Sequence, residues 1–388
     1  MNVKQQGIVT LIKSAVTGER FALPEGFDLE EASRLIRAHQ IGALIYEGAL
    51  QCGVAQNSPA MQRLFQYYCK SAQISKRQMQ KLEQVFTAFE ANGIDYMPVK
   101  GCFLKSLYRK PEHRMMGDAD VLIRMSQYEK IVPIMQELGF EPGGEAEHHF
   151  VWKADALTIE LHKSLFKEKY DQYTAHFGDG WPLAHRQAGN RYALKPEDAY
   201  IHVFAHFANH FRHAGVGCRQ LVDLWVLFIA YPELDGAYIQ RILEQMQLET
   251  FHQNTRRTIS AWFEGAEEDD VTRLMTDVIF ANGSWGTTQQ GTISAGISDM
   301  QRSPRSFSAR LLYVFRHIFP GVENLRRRYP ILKKAPYLLP VAWVYYLISR
   351  TFFAEGVLKR QVRNLSVLTK ENVETRQQML ESVGFRDW

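Results

Sequence analysis

Two aspartates, Asp118 and Asp120, stand one residue apart at the start of the aliphatic run at 121–123. The run predicts a buried strand, and side chains alternate between the two faces of a strand. Both carboxylates would therefore lie on one face, where they repel each other unless a cation lies between them. Carboxylate oxygens are the ligands that Mg²⁺ prefers, so the pair predicts a magnesium site, with Mn²⁺ as an alternative ion.

A third carboxylate comes from the later segment "LTIELH". Alternation on this predicted strand places Thr158, Glu160 and His162 on one face and the aliphatic residues on the other. If the two strands are neighbours, Glu160 can reach Asp118 and Asp120. Two magnesium ions held by such acids form the clamp used for in-line phosphoryl or nucleotidyl transfer. We therefore predict that Asp118, Asp120 and Glu160 are catalytic residues and metal ligands.

A lysine and a glycine follow the strand predicted for "IDYMPV", just ahead of a predicted helix. Backbone N–H groups at a helix N-terminus bind phosphate oxygens, and Gly101 has no side chain to obstruct their approach. Lys100 and Arg114 are candidates to neutralise the charge of a triphosphate. We therefore expect Lys100, Gly101 and Arg114 in a nucleotide-binding site.

Together these residues resemble the nucleotidyltransferase superfamily, whose pattern is a glycine turn, a D-x-D pair on a strand and a third acid on a later strand. The matching segments are "KGCFLKSLYRKPEHRMMGDADVLI" and "IELH". The chain is more similar still to a bacterial branch of uncharacterised nucleotidyltransferases, whose second signature resembles "HVFAHFANHFRHAGVGCRQLVDLW". The resemblance covers most of the chain. It departs from the superfamily where Cys102 follows Gly101, because the usual turn has Gly-Ser or Gly-Gly.

The resemblance implies an α+β fold with a polymerase-β-like core, a small mixed sheet with helices, flanked by helical N-terminal and C-terminal regions. It also implies that Asp118 and Asp120 bind metal and that Glu160 supports an attacking hydroxyl. The implied reaction moves an NMP from an NTP, such as ATP, to an unknown acceptor and releases pyrophosphate. A non-catalytic nucleotide-binding or regulatory protein of the same fold is the alternative.

Hydrophobic periodicity and turn residues divide the chain into five predicted regions. They are a helical region, the nucleotidyltransferase α/β core, a helical domain with a histidine-rich helix, a linker rich in Gly, Ser and Thr, and a basic, apolar helical region. Their predicted bounds are residues 1–92, 93–190, 191–280, 281–304 and 305–388.

Histidines recur at helical spacing in the segment "HVFAHFANHFRH". Histidines four residues apart on one helical face can bind zinc, so a zinc hydrolase is a further hypothesis. Packing against a second helix is a commoner reason for such a stripe. If the helix faces the carboxylates, we expect His206 and His210 to contact the nucleotide or the acceptor. The full stripe is His202, His206, His210 and His213.

Residues 302–363 carry thirteen Lys or Arg and two acids, a local charge of +11. The segment also contains an apolar, aromatic stretch that Pro340 interrupts, which is marginal as a membrane span because a span needs about 20 apolar residues. A helix packed on the core is one interpretation, and peripheral contact with an anionic membrane is another. Nucleic acid ranks last as a partner, because no RNA-binding motif accompanies the charge.

The cysteines and the N-terminus indicate where the protein works. The four cysteines have no CxxC spacing, and the first twenty residues lack the apolar region of a signal peptide. These features predict reduced thiols and a cytoplasmic protein, with membrane association through residues 302–363 as a further hypothesis.

Overall fold

A computed structural model describes residues 1–167, 170–283, 322–352 and 369–385. The chain divides into two compact units. The first unit contains Met1–Asn209 and Val216–Ser284, and the second contains His210–Gly215 and Trp285–Trp388. Most of the predicted linker at 281–304 and parts of the basic region at 302–363 lie outside the described residues.

The described part of residues 1–283 consists of helices and the strands of one sheet. The helices are α1 (Val3–Thr17), α2 (Leu29–Ala38), α3 (Gly42–Gln51), α4 (Pro59–Ala91), α5 (Lys100–Leu104), α6 (Tyr128–Glu137), α7 (Asp171–Phe177), α8 (Pro196–His213), α9 (Cys218–Ala230), α10 (Gly236–Gln245), α11 (Glu249–Ile259) and α12 (Asp270–Asn282). The strands are β1 (Tyr96–Pro98), β2 (Ala119–Ile123), β3 (Glu141–Glu145), β4 (His149–Ala154), β5 (Leu157–His162), β6 (Ala184–Ala188) and β7 (Arg191–Leu194).

The long helix α4 has clear signals at both ends. The Ser58 side chain accepts a hydrogen bond from the Met61 N–H at 3.3 Å, and Pro59 occupies the first turn, where its missing N–H costs nothing. The helix ends before Gly93, whose φ of +65° is a conformation that glycine adopts without strain. These ends fix the direction in which the chain enters β1.

The sheet is mixed, with strand order β3-β4-β5-β2-β1-β7-β6. Strand β2 pairs in parallel with β5 and antiparallel with β1. Strand β7 pairs in parallel with β1, so the sheet continues beyond residue 190. The α+β fold predicted from the sequence is therefore confirmed.

One face of the sheet forms a hydrophobic core with α4 and α6. Val121 of β2 and Ile159 of β5 are fully buried there, together with Phe89 of α4 and Ile131 of α6. Because alternate residues point to opposite faces, the remaining residues of β2 and β5 lie on the other face. The core thus holds two strands rigidly while their polar residues face away from it.

The described part of the second unit is helical. Its further helices are α13 (Val322–Arg328), α14 (Ile331–Lys334), α15 (Leu339–Phe352) and α16 (Lys370–Ser382). Leu325, Leu332 and Tyr346 form a small buried cluster, and Arg376 donates to the Phe211 carbonyl at 2.6 Å. Within the described ranges, every helix is too short or too polar to cross a membrane.

Candidate active site on strands β2 and β5

Strands β2 and β5 bring two carboxylates side by side. In their parallel register Asp120 lies opposite Glu160, and Leu122 lies opposite His162. Asp120 is 6% exposed, while Glu160 is half-buried. Two acids on neighbouring strands therefore face the same side of the sheet, away from the hydrophobic core.

One carboxylate oxygen of Asp120 accepts two hydrogen bonds. The Lys100 ammonium donates to Asp120 Oδ1 at 2.7 Å, and His162 Nε2 lies 2.8 Å from the same atom. Lys100 has a φ of +44°, which is strained for a residue with a Cβ. The turn that joins β1 to α5 therefore holds this lysine in an unfavourable backbone conformation while its side chain contacts Asp120.

The charges of this cluster shift its pKa values in different directions. Burial alone would raise the pKa of Asp120, but the Lys100 charge and the His162 hydrogen bond outweigh burial and lower it. Burial also favours a higher pKa for the half-buried Glu160, yet its hydrogen bond from His162 contributes to a lowered pKa. Burial and then the charges of Asp120 and Glu160 raise the pKa of Asp118. Three acids thus share one electrostatic environment.

Two groups of potential metal ligands occur among the described residues. One ligand atom from each of Asp120, Glu160 and His162 lies within 4.8 Å of the others, and the same holds for His148, His149 and His162. Asp118, the residue just before β2, belongs to neither group. The histidine helix contributes to neither group.

Arg114, predicted to bind a triphosphate, lies in a buried cluster of hydrogen-bonded side chains around Asp223. Its Nη2 and Nε donate to the two oxygens of Asp223 at 3.0 and 3.2 Å. The Tyr108 hydroxyl donates to Asp223 at 2.7 Å, and the Lys105 ammonium donates to the Arg114 carbonyl at 2.8 Å. The guanidinium is therefore committed to a carboxylate of the protein.

Gly101 is buried beside that arginine. A Cβ at this position would lie 2.7 Å from Arg114 Nη1 and 3.2 Å from Met116 Cγ, so close packing requires glycine here. The adjacent Cys102 packs against the hydrophobic core, and burial followed by the Asp120 charge raises the pKa of its thiol. The glycine has a packing role in addition to any contact with phosphate.

The histidine helix α8 packs mainly against aromatic rings. Phe166 stacks on His206 with ring centroids 5.2 Å apart and contacts the edge of His202 at 5.3 Å. His210 is exposed and belongs to the second unit. Burial, followed by the Lys100 charge, lowers the pKa of His202 to about 3. The charges of Lys100, Asp120 and His162 therefore act on His202, although burial has the largest effect on its pKa.

Sequence reasoning missed the histidines of the β4–β5 hairpin as a group. The hairpin register places His149 opposite His162, and the His148 ring lies 5.3 Å from the His162 ring. The sequence already indicated this pairing. A two-residue turn after Ala154 pairs positions that are equally distant from the turn, and His149 and His162 are such positions.

The structure is an α+β protein with acids on neighbouring parallel strands, the arrangement that the nucleotidyltransferase resemblance implies. The model of a family described as uncharacterised nucleotidyltransferase matches residues 25–264. The chain belongs to this family, as the sequence resemblance predicted. No curated protein and no solved structure matches the chain.

Proposed function

We propose that this protein is a magnesium-dependent nucleotidyltransferase that moves an NMP from an NTP to an acceptor and releases pyrophosphate. The observation that carries the proposal is the pairing of Asp120 with Glu160 across parallel strands, where both carboxyls have lowered pKa values. Asp118 adds a third acid to the same electrostatic environment. Such a concentration of negative charge is suited to a divalent cation.

The donor chemistry fits Mg²⁺, with Mn²⁺ as an alternative. Asp120 and Glu160 offer hard carboxylate oxygens, and the partly buried Asp118 is a further candidate ligand. When bound, the ion supplies charge neutralisation at the phosphate oxygens and orients the attacking and leaving groups. His162 donates a hydrogen bond to Asp120, which keeps that carboxylate oriented.

Lys100 binds the triphosphate in this proposal, and Glu160 orients the acceptor. The Lys100 side chain is 22% exposed, so its ammonium can leave Asp120 and reach a triphosphate oxygen when a cation neutralises the carboxylate. Glu160 lies beside the same site and orients the acceptor hydroxyl by hydrogen bonding. Nucleotide contacts by Gly101, Arg114, His206 and His210 stay predictions.

The test is pyrophosphate release by the full chain incubated with each NTP, ATP first, and Mg²⁺. A panel of sugar phosphates, nucleic-acid ends, lipid-linked precursors and proteins serves as acceptors, and α-labelled NTP reports transfer to any of them. We expect release that requires Mg²⁺ and falls at least about 100-fold in Glu160→Gln. The exposed Asp155→Asn, at the far end of the same hairpin, is the matched control.

A regulatory protein of the same fold gives a different result. It would bind NTP with Mg²⁺ in a binding assay but release no pyrophosphate with any acceptor, and Glu160→Gln would then alter affinity alone. That outcome would replace the transferase proposal with the nucleotide-binding alternative.

Peripheral membrane contact through residues 302–363 and a cytoplasmic location also stay predictions. Both can be checked by sedimenting the full chain with anionic vesicles and by fractionating cells that express it. Contact driven by the local charge would weaken as salt is raised, because exposed charges are screened.

A further inference from the structure

Three imidazoles gather beside the carboxylate pair, at the open end of the β4–β5 hairpin. We propose that His148, His149 and His162 form a second metal site that takes a borderline divalent transition ion of the zinc class. One ring nitrogen of each lies within 4.8 Å of a ring nitrogen of the other two. This site differs in its donor atoms from the magnesium site, and His162 connects the two through its hydrogen bond to Asp120.

The spacing of the rings fits a common central ion. The ring centroids are 4.6 Å apart for His148 and His149, 5.3 Å for His148 and His162, and 5.2 Å for His149 and His162. A tetrahedral ion about 2.0–2.1 Å from each nitrogen would place such centroids about 5 Å apart. No pair is stacked face to face, since the interplanar angles are between 49° and 75°.

One nitrogen on each of two rings is already directed at a carboxylate. His162 Nε2 lies 2.8 Å from Asp120 Oδ1, and His149 Nε2 lies 3.4 Å from Glu160 Oε1. The other nitrogen, Nδ1, is buried on both rings and on His148, and none of the three has a hydrogen-bond partner among the described residues. A buried polar atom without a partner is destabilising, and a bound cation would remove that penalty.

This arrangement matches the way proteins orient histidine ligands. A ligating histidine usually donates its second N–H to a carboxylate, which fixes the tautomer and makes the free nitrogen a better donor. Asp120 and Glu160 can serve in this outer role for His162 and His149. The same carboxylates would therefore support both metal sites.

Donor type separates the two sites. Imidazole nitrogens suit zinc and similar ions, whereas carboxylate oxygens suit magnesium and manganese. Three histidines leave the fourth position of a tetrahedral ion for water or another ligand. The His149 side chain is 14% exposed, so solvent can reach the site. Zinc binding here does not depend on the proposed transferase activity.

The test titrates the purified full chain, after treatment with a chelator, with Zn²⁺ in competition with a coloured indicator. Co²⁺ serves as a second probe because its visible absorption reports tetrahedral nitrogen ligation. We expect about one tightly bound ion per chain and at least a tenfold loss of affinity in His148→Ala and His149→Ala. His185→Ala, on an exposed strand of the same sheet, should bind as the natural chain does.

His148 is the deciding residue because the acidic ligand group does not include it. Unchanged Zn²⁺ affinity in His148→Ala would place the ion on the carboxylates and overturn the proposal, and so would the absence of stoichiometric binding. Far-UV circular dichroism checks that the variants fold. If His148→Ala does not fold, His148→Gln removes the same imidazole but keeps a polar side chain. A loss of Zn²⁺ affinity in that variant is the expected result, and unchanged affinity would overturn the proposal.

Discussion

Two buried aspartates, Asp120 and Asp223, each pair with a cation, but their surroundings differ. Asp223 accepts hydrogen bonds from Nε and Nη2 of Arg114 and from the Tyr108 hydroxyl, and the Arg114 and Asp223 side chains are only 10% and 4% exposed. Asp120 receives Lys100, whose side chain is 22% exposed, and further acids crowd the same face.

The charges around Asp223 have a structural role, whereas those around Asp120 are suited to binding. In the Asp223 cluster every carboxylate oxygen has a donor and the Arg114 side chain is nearly buried, so removal of one partner would leave the other charge buried and unpaired. In the Asp120 cluster negative charge exceeds what Lys100 neutralises, and the lysine can move into solvent. The second arrangement can exchange its internal cation for an external one, which a binding site requires.

The largest expected effect is on folding. Asp223→Asn leaves the buried Arg114 without its counter-charge, so we expect the free energy of unfolding to fall by about 3–5 kcal/mol. Urea denaturation followed by circular dichroism measures it. Asp155→Asn, an exposed aspartate, should change stability by no more than about 0.5 kcal/mol. A loss below about 1 kcal/mol for Asp223→Asn would show that this ion pair is not structural.

The next effect is on activity. Asp120→Asn should reduce pyrophosphate release at least about 100-fold, because the variant lacks the negative charge that holds the cation. Its stability loss should be smaller than that of Asp223→Asn, since the amide oxygen can still accept from Lys100 and the ammonium can reach water. Equal stability losses with full activity would reverse the roles assigned to the two aspartates.

A third test uses the pH dependence of stability. Burial, followed by the charge of Arg114, lowers the pKa of Lys105 to about 8 from the usual value of 10.5. Between these values the unfolded chain keeps a proton that the folded chain has released, so stability rises with pH. From pH 8 to pH 9.5 the rise should reach about 1.5 kcal/mol.

Lys105→Met isolates this contribution from other groups that titrate in the same range. We expect the rise to be absent from the variant when denaturation of the two proteins is compared at each pH. An identical pH profile for both proteins would mean that Lys105 keeps an ordinary pKa in the folded state.

The smallest expected effect concerns Lys100. Lys100→Met should raise the Kd for ATP about tenfold at saturating Mg²⁺, because one charge-assisted contact with the triphosphate is lost. Isothermal calorimetry measures the Kd, and Lys153→Met, an exposed lysine of β4, is the control. An unchanged Kd would leave Lys100 as a partner of Asp120 alone.

The sequence predicted the elements whose patterns are strong. The aliphatic alternation of β2 and β5 identified both strands and the face that carries Glu160 and His162, and the glycine after α4 marked its end. Strands β3, β6 and β7 were not predicted. Residues of β3 are all exposed and include two glycines, and β6 is mostly exposed, so neither has the apolar alternation that marks a strand.

The sequence could not predict which residues would pair with one another in ion pairs and ligand groups. Arg114 stands close to the aspartates in sequence, yet its partner is Asp223, more than a hundred residues away. Likewise, spacing alone drew attention to the histidines of α8, whereas the hairpin histidines lie against carboxylates. Ion pairs and ligand groups depend on tertiary contacts, which local periodicity does not encode.

We propose above all that the carboxylates of β2 and β5 hold the divalent ion. Mn²⁺ can stand in for Mg²⁺, and its unpaired electrons broaden the NMR signals of nearby nuclei. In protein with ¹⁵N-labelled histidine, substoichiometric Mn²⁺ should remove the imidazole signals of His149 and His162 and spare those of His185. Asp120→Asn should restore them. Broadening that persists in Asp120→Asn, or that spares His162, would contradict the claim.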